Sequence, residues 1–183
     1  MVAPLPVTPV DEVDRLLALA SRSDPATAFE LRLDAAALLV DRGDRTRAHE
    51  LLGGIQSAQL GGSQWVRHQI LLARLDIEDA APATALSRLD NPAMQTESVG
   101  IDRATQVELA LVRADALGAL GQPIESARER SLIQPWMSDE QQRLTNARAI
   151  LGALSRVALG EIERESASAA SDDWRGWLEL ALV

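Results

Sequence analysis

LDAAALLVDRGDRTRAHELL, Leu33 to Leu52, decides the fold. A long apolar helical pattern runs into a turn at Gly43, and a shorter amphipathic segment centred on the small residue Ala48 follows. The same unit returns as LLARLDIEDAAPATALSRL (Leu71 to Leu89) and as LVRADALGALGQPIESARER (Leu111 to Arg130). Aligned on Ala48, Ala85 and Ala127, the copies lie 37 and 42 residues apart. Helix-pair repeats recur at about 34–47 residues, because one pair cannot bury its apolar face alone and must stack on its neighbours. The chain therefore reads as all-α, a helix-pair α-solenoid of about ten helices in one domain, with residues 1–8 as an extended lead-in. Arrays of this kind present surfaces to partners more than they catalyse reactions.

Composition agrees with that class. Of 183 residues, 46% are apolar and 25% charged, enough for a packed core. Aromatic residues make up only 3% and Tyr is absent, while Ala and Leu abound, which favours closely spaced helices over strands. The formal charge of −9 and the lack of any basic run exclude a nucleic-acid partner of the usual kind, since binding a polyanion draws on clustered cations. Zero Cys removes disulfides, thiolate catalysis and Cys-based metal sites. No run of about 20 apolar residues could span a bilayer. MVAPLPVTPV lacks the charged and apolar regions of a signal peptide, so the chain is expected to be either cytosolic or a mature piece whose export signal has been trimmed.

Local punctuation places the helices. Thr8-Pro9-Val10-Asp11 offers a cap, a first-turn Pro and a first-turn carboxylate for a helix over about 9–21. Asp24-Pro25 starts a second helix ending near Gly43, and a third runs from Asp44 to about Gly53. Ser63 is the expected cap of a helix from Gln64 to Asp79, with Ile70, Ala73 and Ile77 on its packed face and Arg67, Arg74 and Glu78 on a wet one. Pro82 opens a short helix to Leu89, and Asp90 to Gly100 reads as a loop. A helix apolar on nearly every face runs from Ile101 to Leu120 and stops at Gly121. Others start at Pro123, at Ser138-Asp139-Glu140-Gln141, which resembles a capping box, and at Asp172.

The candidate chemical groups read as structural. His49 and His68 are the only histidines, on different helices and without an HExxH pattern, and they read as surface or groove residues without chemistry. Glu161, Glu163 and Glu165 alternate, so a helix spreads them over different faces of a solvated segment. Gly53-Gly54 and Gly61-Gly62 lack the spacing of a phosphate-cradling loop, and no Ser sits in Gly-x-Ser-x-Gly or Ser-x-x-Lys. Trp65, Trp136, Trp174 and Trp177 read as wedges between helix pairs. No catalytic, metal-ligating or cofactor-binding residue is assigned, and fold-supporting roles are expected for Gly43, Gly121, Asn146, Trp174, Gly176 and Trp177.

LLARLDIEDAAPATALSRL, LVRADALGALGQPIESARERSLIQPWM, NARAILGAL (Asn146 to Leu154) and RGWLELALV (Arg175 to Val183) together resemble the N-terminal, TPR-like domain of the LpoA family, outer-membrane lipoproteins that activate a bifunctional penicillin-binding protein. The resemblance covers roughly residues 28–183, and its most specific pieces are Gly176 to Ala181 and the Asn-x-x-x-Ile segment at Asn146 to Ile150. Leu151 stands where relatives often carry Trp.

The resemblance implies a periplasmic protein, tethered to the outer membrane by an N-terminal lipidated Cys that this chain does not contain. It also implies a following domain like the periplasmic substrate-binding proteins. The implied partner is the penicillin-binding protein, with peptidoglycan as a second candidate, and the implied role is non-catalytic: spacer and interaction surface in a regulator of peptidoglycan synthesis. Two other classes stay open on the residues alone. One is the scaffold of a murein hydrolase such as a lytic transglycosylase, whose Gly-Leu-Met-Gln motif accompanying the acid is missing here. The other is a TPR adaptor for peptide tails.

Overall fold

A computed structural model describes residues 11–183. Every regular element among them is helical. Eleven α-helices follow one another: α1 (Glu12–Ala20), α2 (Pro25–Asp41), α3 (Arg45–Gly53), α4 (Gly62–Glu78), α5 (Pro82–Leu89), α6 (Pro92–Glu97), α7 (Arg103–Ala119), α8 (Pro123–Ile133), α9 (Glu140–Leu154), α10 (Leu159–Ser168) and α11 (Asp172–Ala181). Two single 3-10 turns, Ser57–Gln59 and Gln134–Trp136, sit between α3 and α4 and between α8 and α9. The all-α helix-pair architecture read from the repeat is the observed one.

The chain divides into two compact units, one reaching to Leu71 and one from Leu72 to Val183, with the boundary inside α4. In the first, α2 packs on α1 and on α3. In the second, α7 packs on α5 and α8, α8 on α9, and α11 on α8, α9 and α10. The C-terminal helices close around Ile124, Ile150, Leu154, Ile162, Trp174 and Leu178.

The repeat is visible atom by atom in three helix ends. The N–H groups of Asp44, Ala81 and Gln122 donate to the carbonyls of Leu39, Asp76 and Leu117, each five residues back, at 2.9, 2.8 and 3.0 Å. The residue before each donor is left-handed: Gly43 at φ +73°, Ala80 at +58° and Gly121 at +75°. This closure satisfies carbonyls that the helix end would leave bare. Counted from these turns, Ala36, Ala73 and Ala114 occupy one equivalent position in the long helices, and all three are fully buried. Ala48 and Ala85 occupy the equivalent position in the short helices and are also fully buried. Small residues there let helix axes approach closely, so that larger neighbours such as Leu33, Leu52 and Ile70 fill the space between pairs.

Several local expectations need correction. The third short-helix equivalent is Ser126, not Ala127; both are buried, and the Ser126 hydroxyl donates to Ala114 O at 2.7 Å. Asp11 is the cap of α1, accepting from Val13 N–H, and is not part of its first turn; the expected Thr8 cap and Pro9 start lie outside the described residues. Helix α4 begins at Gly62, so Ser63 lies within its first turn. Asp139, accepting from Gln142 N–H at 2.7 Å, caps α9 in place of Ser138. The segment Asp90 to Gly100 is not all loop: α6 forms there, capped by Asn91 with Pro92 at its first position, and buries Met94.

Candidate functional site

The expected wet stripe of α4 is instead a line of ion pairs. Arg67 binds Glu30 at 2.6 Å and Asp34 at 2.7 Å, and Arg74 approaches Glu108 at 3.8 Å. Glu30, Arg67 and Glu108 stand at one equivalent place in the repeat, thirteen residues before each left-handed turn, so the sign of the charge alternates from one long helix to the next. All 18 cationic side chains of the sequence are Arg. Several of them bridge helices, including Arg42 to Asp11 (2.6 Å), Arg47 to Asp14 (2.9 Å) and Arg88 to Asp76 (3.0 Å). Pairs this open to solvent add little to stability and mainly fix register.

Of the two histidines, His49 is exposed, in line with the surface reading, whereas His68 is buried and departs from it. His68 Nε2 lies 3.1 Å from Leu52 O, in the last turn of α3, and Nδ1 lies 3.3 Å from Gln69 Nε2. An Nε2–H tautomer donates to the carbonyl and accepts from the amide, which satisfies both ring nitrogens. Glu165 is not merely solvated: it accepts from the Trp174 indole at 3.0 Å and pairs with Arg128, which sits 5.7 Å over the Trp174 ring. Trp177 packs against the same C-terminal core.

The remaining expected residues are placed as follows. Gly43 and Gly121 hold the left-handed turns. Asn146 is 2% exposed and fully engaged: its Nδ2 donates to Arg130 O (3.0 Å) and Gln134 Oε1 (2.7 Å), while its Oδ1 accepts from Arg130 Nη1 (3.1 Å). Gly176 lies in α11 with no heavy atom within 4 Å of where a Cβ would stand, so nothing packs against it closely enough to require glycine.

One groove, of about 760 Å³, stands out among the described residues. It runs along the second unit between α7 and the N-terminal half of α9, with the 3-10 turn after α8 at one end. From α7 it takes Arg103, Val107, Leu111 and Asp115, one helical face. From α9 it takes Gln141, Gln142, Thr145 and Asn146. Trp136, 43% exposed, forms the end wall, with the Arg103 guanidinium 5.9 Å over its ring. Sequence reasoning missed this site, since Trp136 read as a wedge. Pro135, which ends α8 and turns the next residue off the helical face, was the local signal. The groove offers recognition elements: an apolar wall, an amide-bearing wall and a cation over an indole.

Comparison with known proteins places this chain. Two curated relatives, each named "Penicillin-binding protein activator LpoA", from Edwardsiella piscicida and Edwardsiella ictaluri, are 27% identical over 179 and 182 residues. Each alignment covers 97% of this chain and 25% of the relative, so the chain spans about a quarter of their length. The solved structure of Haemophilus influenzae LpoA superposes with a TM-score of 0.73 over 96% of this chain and 32% of that one, at 16% identity, which shows the shared fold. The family model described as "LppC putative lipoprotein" matches residues 6–183. With the match running over nearly its whole length, the chain belongs to the LppC lipoprotein family.

Proposed function

We propose that this chain is the non-catalytic helical part of an activator of peptidoglycan synthesis, serving as a spacer and protein-contact surface for a bifunctional penicillin-binding protein. The observation that carries the reading is the 27% identity, across 97% of the chain, to relatives named as penicillin-binding protein activators. The fold supports it: helices paired through buried Ala and Ser positions and bridged by Arg-carboxylate pairs make a stiff element, and stiffness suits a spacer. Membership of a lipoprotein family supports a location on the periplasmic side of the outer membrane. A companion domain like the periplasmic substrate-binding proteins, in the full-length protein, belongs to the same reading.

The test uses the full-length protein with and without the region equivalent to these residues, and the detergent-solubilised synthase. On this reading the activating contact lies in the companion domain and the helical region adds reach and a secondary contact, so glycan polymerisation in solution is expected to rise with both forms. In cells, only the form with the helical region is expected to restore activation, because only it reaches through the wall. Equal rescue by both forms in cells overturns the spacer role. Turnover of purified glycan strands by the helical chain overturns the non-catalytic one.

A further inference from the structure

We propose that the groove between α7 and α9 binds a short acidic-apolar peptide segment of a partner protein, with a carboxylate against Arg103 and an apolar neighbour against Val107, Leu111 and Trp136. The inference concerns this groove alone and holds whichever enzyme the wider protein regulates.

Charge is the first observation. Arg103 makes no ion pair among the described residues, in a chain where most Arg side chains bridge to carboxylates. Its guanidinium lies over the Trp136 ring instead, which orients the planar fork and leaves its edge available. A fork held in that way matches a carboxylate with two parallel hydrogen bonds. The other cation of the groove cannot serve: Arg130 is only 14% exposed at its side chain and is held by Asp115 and Asn146. Glu108 and Asp115 line the same face of α7 farther along, so an anionic group is confined to the Arg103 end.

The two walls supply the second observation. Along α7, Ala104, Val107 and Leu111 present hydrocarbon; along α9, Gln141, Gln142 and Thr145 present hydrogen-bonding groups. A peptide has that division built in, with backbone donors and acceptors on its edge and side chains to either side. A saccharide, with hydroxyls around its whole rim, would leave polar groups unpaired against the α7 wall. From Arg103 to Leu111 the helix rises about 12 Å, the length of about four extended residues.

The experiment is a titration of the 15N-labelled chain with acetyl-Ala-Leu-Glu-Leu-Ala-amide, followed through the Trp136 indole N–H, which Trp136→Phe assigns. The same titration is run with the Gln analogue and with a chitin trisaccharide. The Glu peptide is expected to shift the Trp136 signal and amides around residues 103–111 and 138–146, with affinity about tenfold above the Gln peptide. Arg103→Gln, an exposed substitution judged folded by an otherwise unchanged spectrum, is expected to erase that tenfold preference while both peptides still bind weakly. Equal affinity for the two peptides, a preference that survives Arg103→Gln, shifts from the trisaccharide alone, or no shift with any probe at low-millimolar concentration would each overturn the proposal.

Discussion

Trp174 donates its indole Nε1–H to Glu165 Oε1 at 3.0 Å, tying α11 to α10, and Arg128 of α8 meets the same carboxylate while lying over the indole face. Three helices thus share one charge-assisted junction beside the C-terminal core. The indole bond foremost, with help from Arg128, holds Glu165 below the ordinary value of 4.5, against the opposing effect of burial.

That junction predicts a pH dependence. A carboxyl whose folded pKa is depressed adds stability above its unfolded pKa and loses it as pH falls through the folded one. The contribution of Glu165 is therefore present above about pH 4.5 and fades below it. Urea midpoints measured from pH 6 down to pH 3 are expected to fall more steeply for the native chain than for Glu165→Gln. Parallel acid limbs would show that the junction carries no net charge-dependent stability.

The three left-handed turns form an internal control. Gly43 and Gly121 adopt positive φ without cost from a Cβ, whereas Ala80 does so at +58° with one. A left-handed non-Gly residue costs about 1–2 kcal/mol, partly offset by the greater freedom that Gly has when unfolded. Ala80→Gly is expected to stabilise the chain by about 0.5–1 kcal/mol, and Gly43→Ala and Gly121→Ala to destabilise it by about 1 kcal/mol each. Chemical denaturation of the three variants reads the signs directly; a loss of stability in Ala80→Gly would refute the equivalence of the turns.

Much of this frame was legible because helix pairs leave local marks. Pro25, Pro82 and Pro123 open helices, Gly43 and Gly121 close them, and the buried alanines recur at the repeat interval. The phase slipped by one in the third copy because Ser126 and Ala127 are both small and buried, and only the hydroxyl bond to Ala114 O identifies the equivalent residue. Helix α6 was missed because six residues carry too little periodicity, although Asn91-Pro92 repeats the start signal of Asp24-Pro25. The groove was invisible for a different reason. Arg103 and Trp136 lie 33 positions apart and meet only because α8 intervenes and packs on both α7 and α9.

Asn146 provides a test of the groove floor. Its amide answers the backbone carbonyl of Arg130, the Arg130 guanidinium and the Gln134 side chain at once, with almost no exposure to water. Asn146→Ala leaves these partners underpaired in a buried place, at a cost of about 2–3 kcal/mol. Asn146→Asp keeps the acceptor for Arg130 but turns a carboxylate toward Arg130 O and Gln134 Oε1. It is expected to be no better than Ala in a thermal melt, and native-like stability of the Asp variant would show that the donor side of the amide contributes little.

Two helical glycines separate propensity from packing. A Cβ on Gly176 meets nothing within 4 Å, so Gly176→Ala gains helix propensity and is expected to stabilise α11 by about 0.5–1 kcal/mol. A Cβ on Gly118 would stand 3.3 Å from Ser126 Oγ, and that hydroxyl is fixed by its 2.7 Å bond to Ala114 O. The neighbour cannot give way without lengthening a buried hydrogen bond, so the same substitution at Gly118 is expected to destabilise by about 1 kcal/mol despite the gain in propensity. Adding Ser126→Ala to Gly118→Ala removes the obstruction together with the bond, and should recover part of that loss. A double variant whose denaturation midpoint falls by the full sum of the two single changes would show that Gly118 and Ser126 do not constrain each other, and that the α7–α8 contact is not set by their close approach.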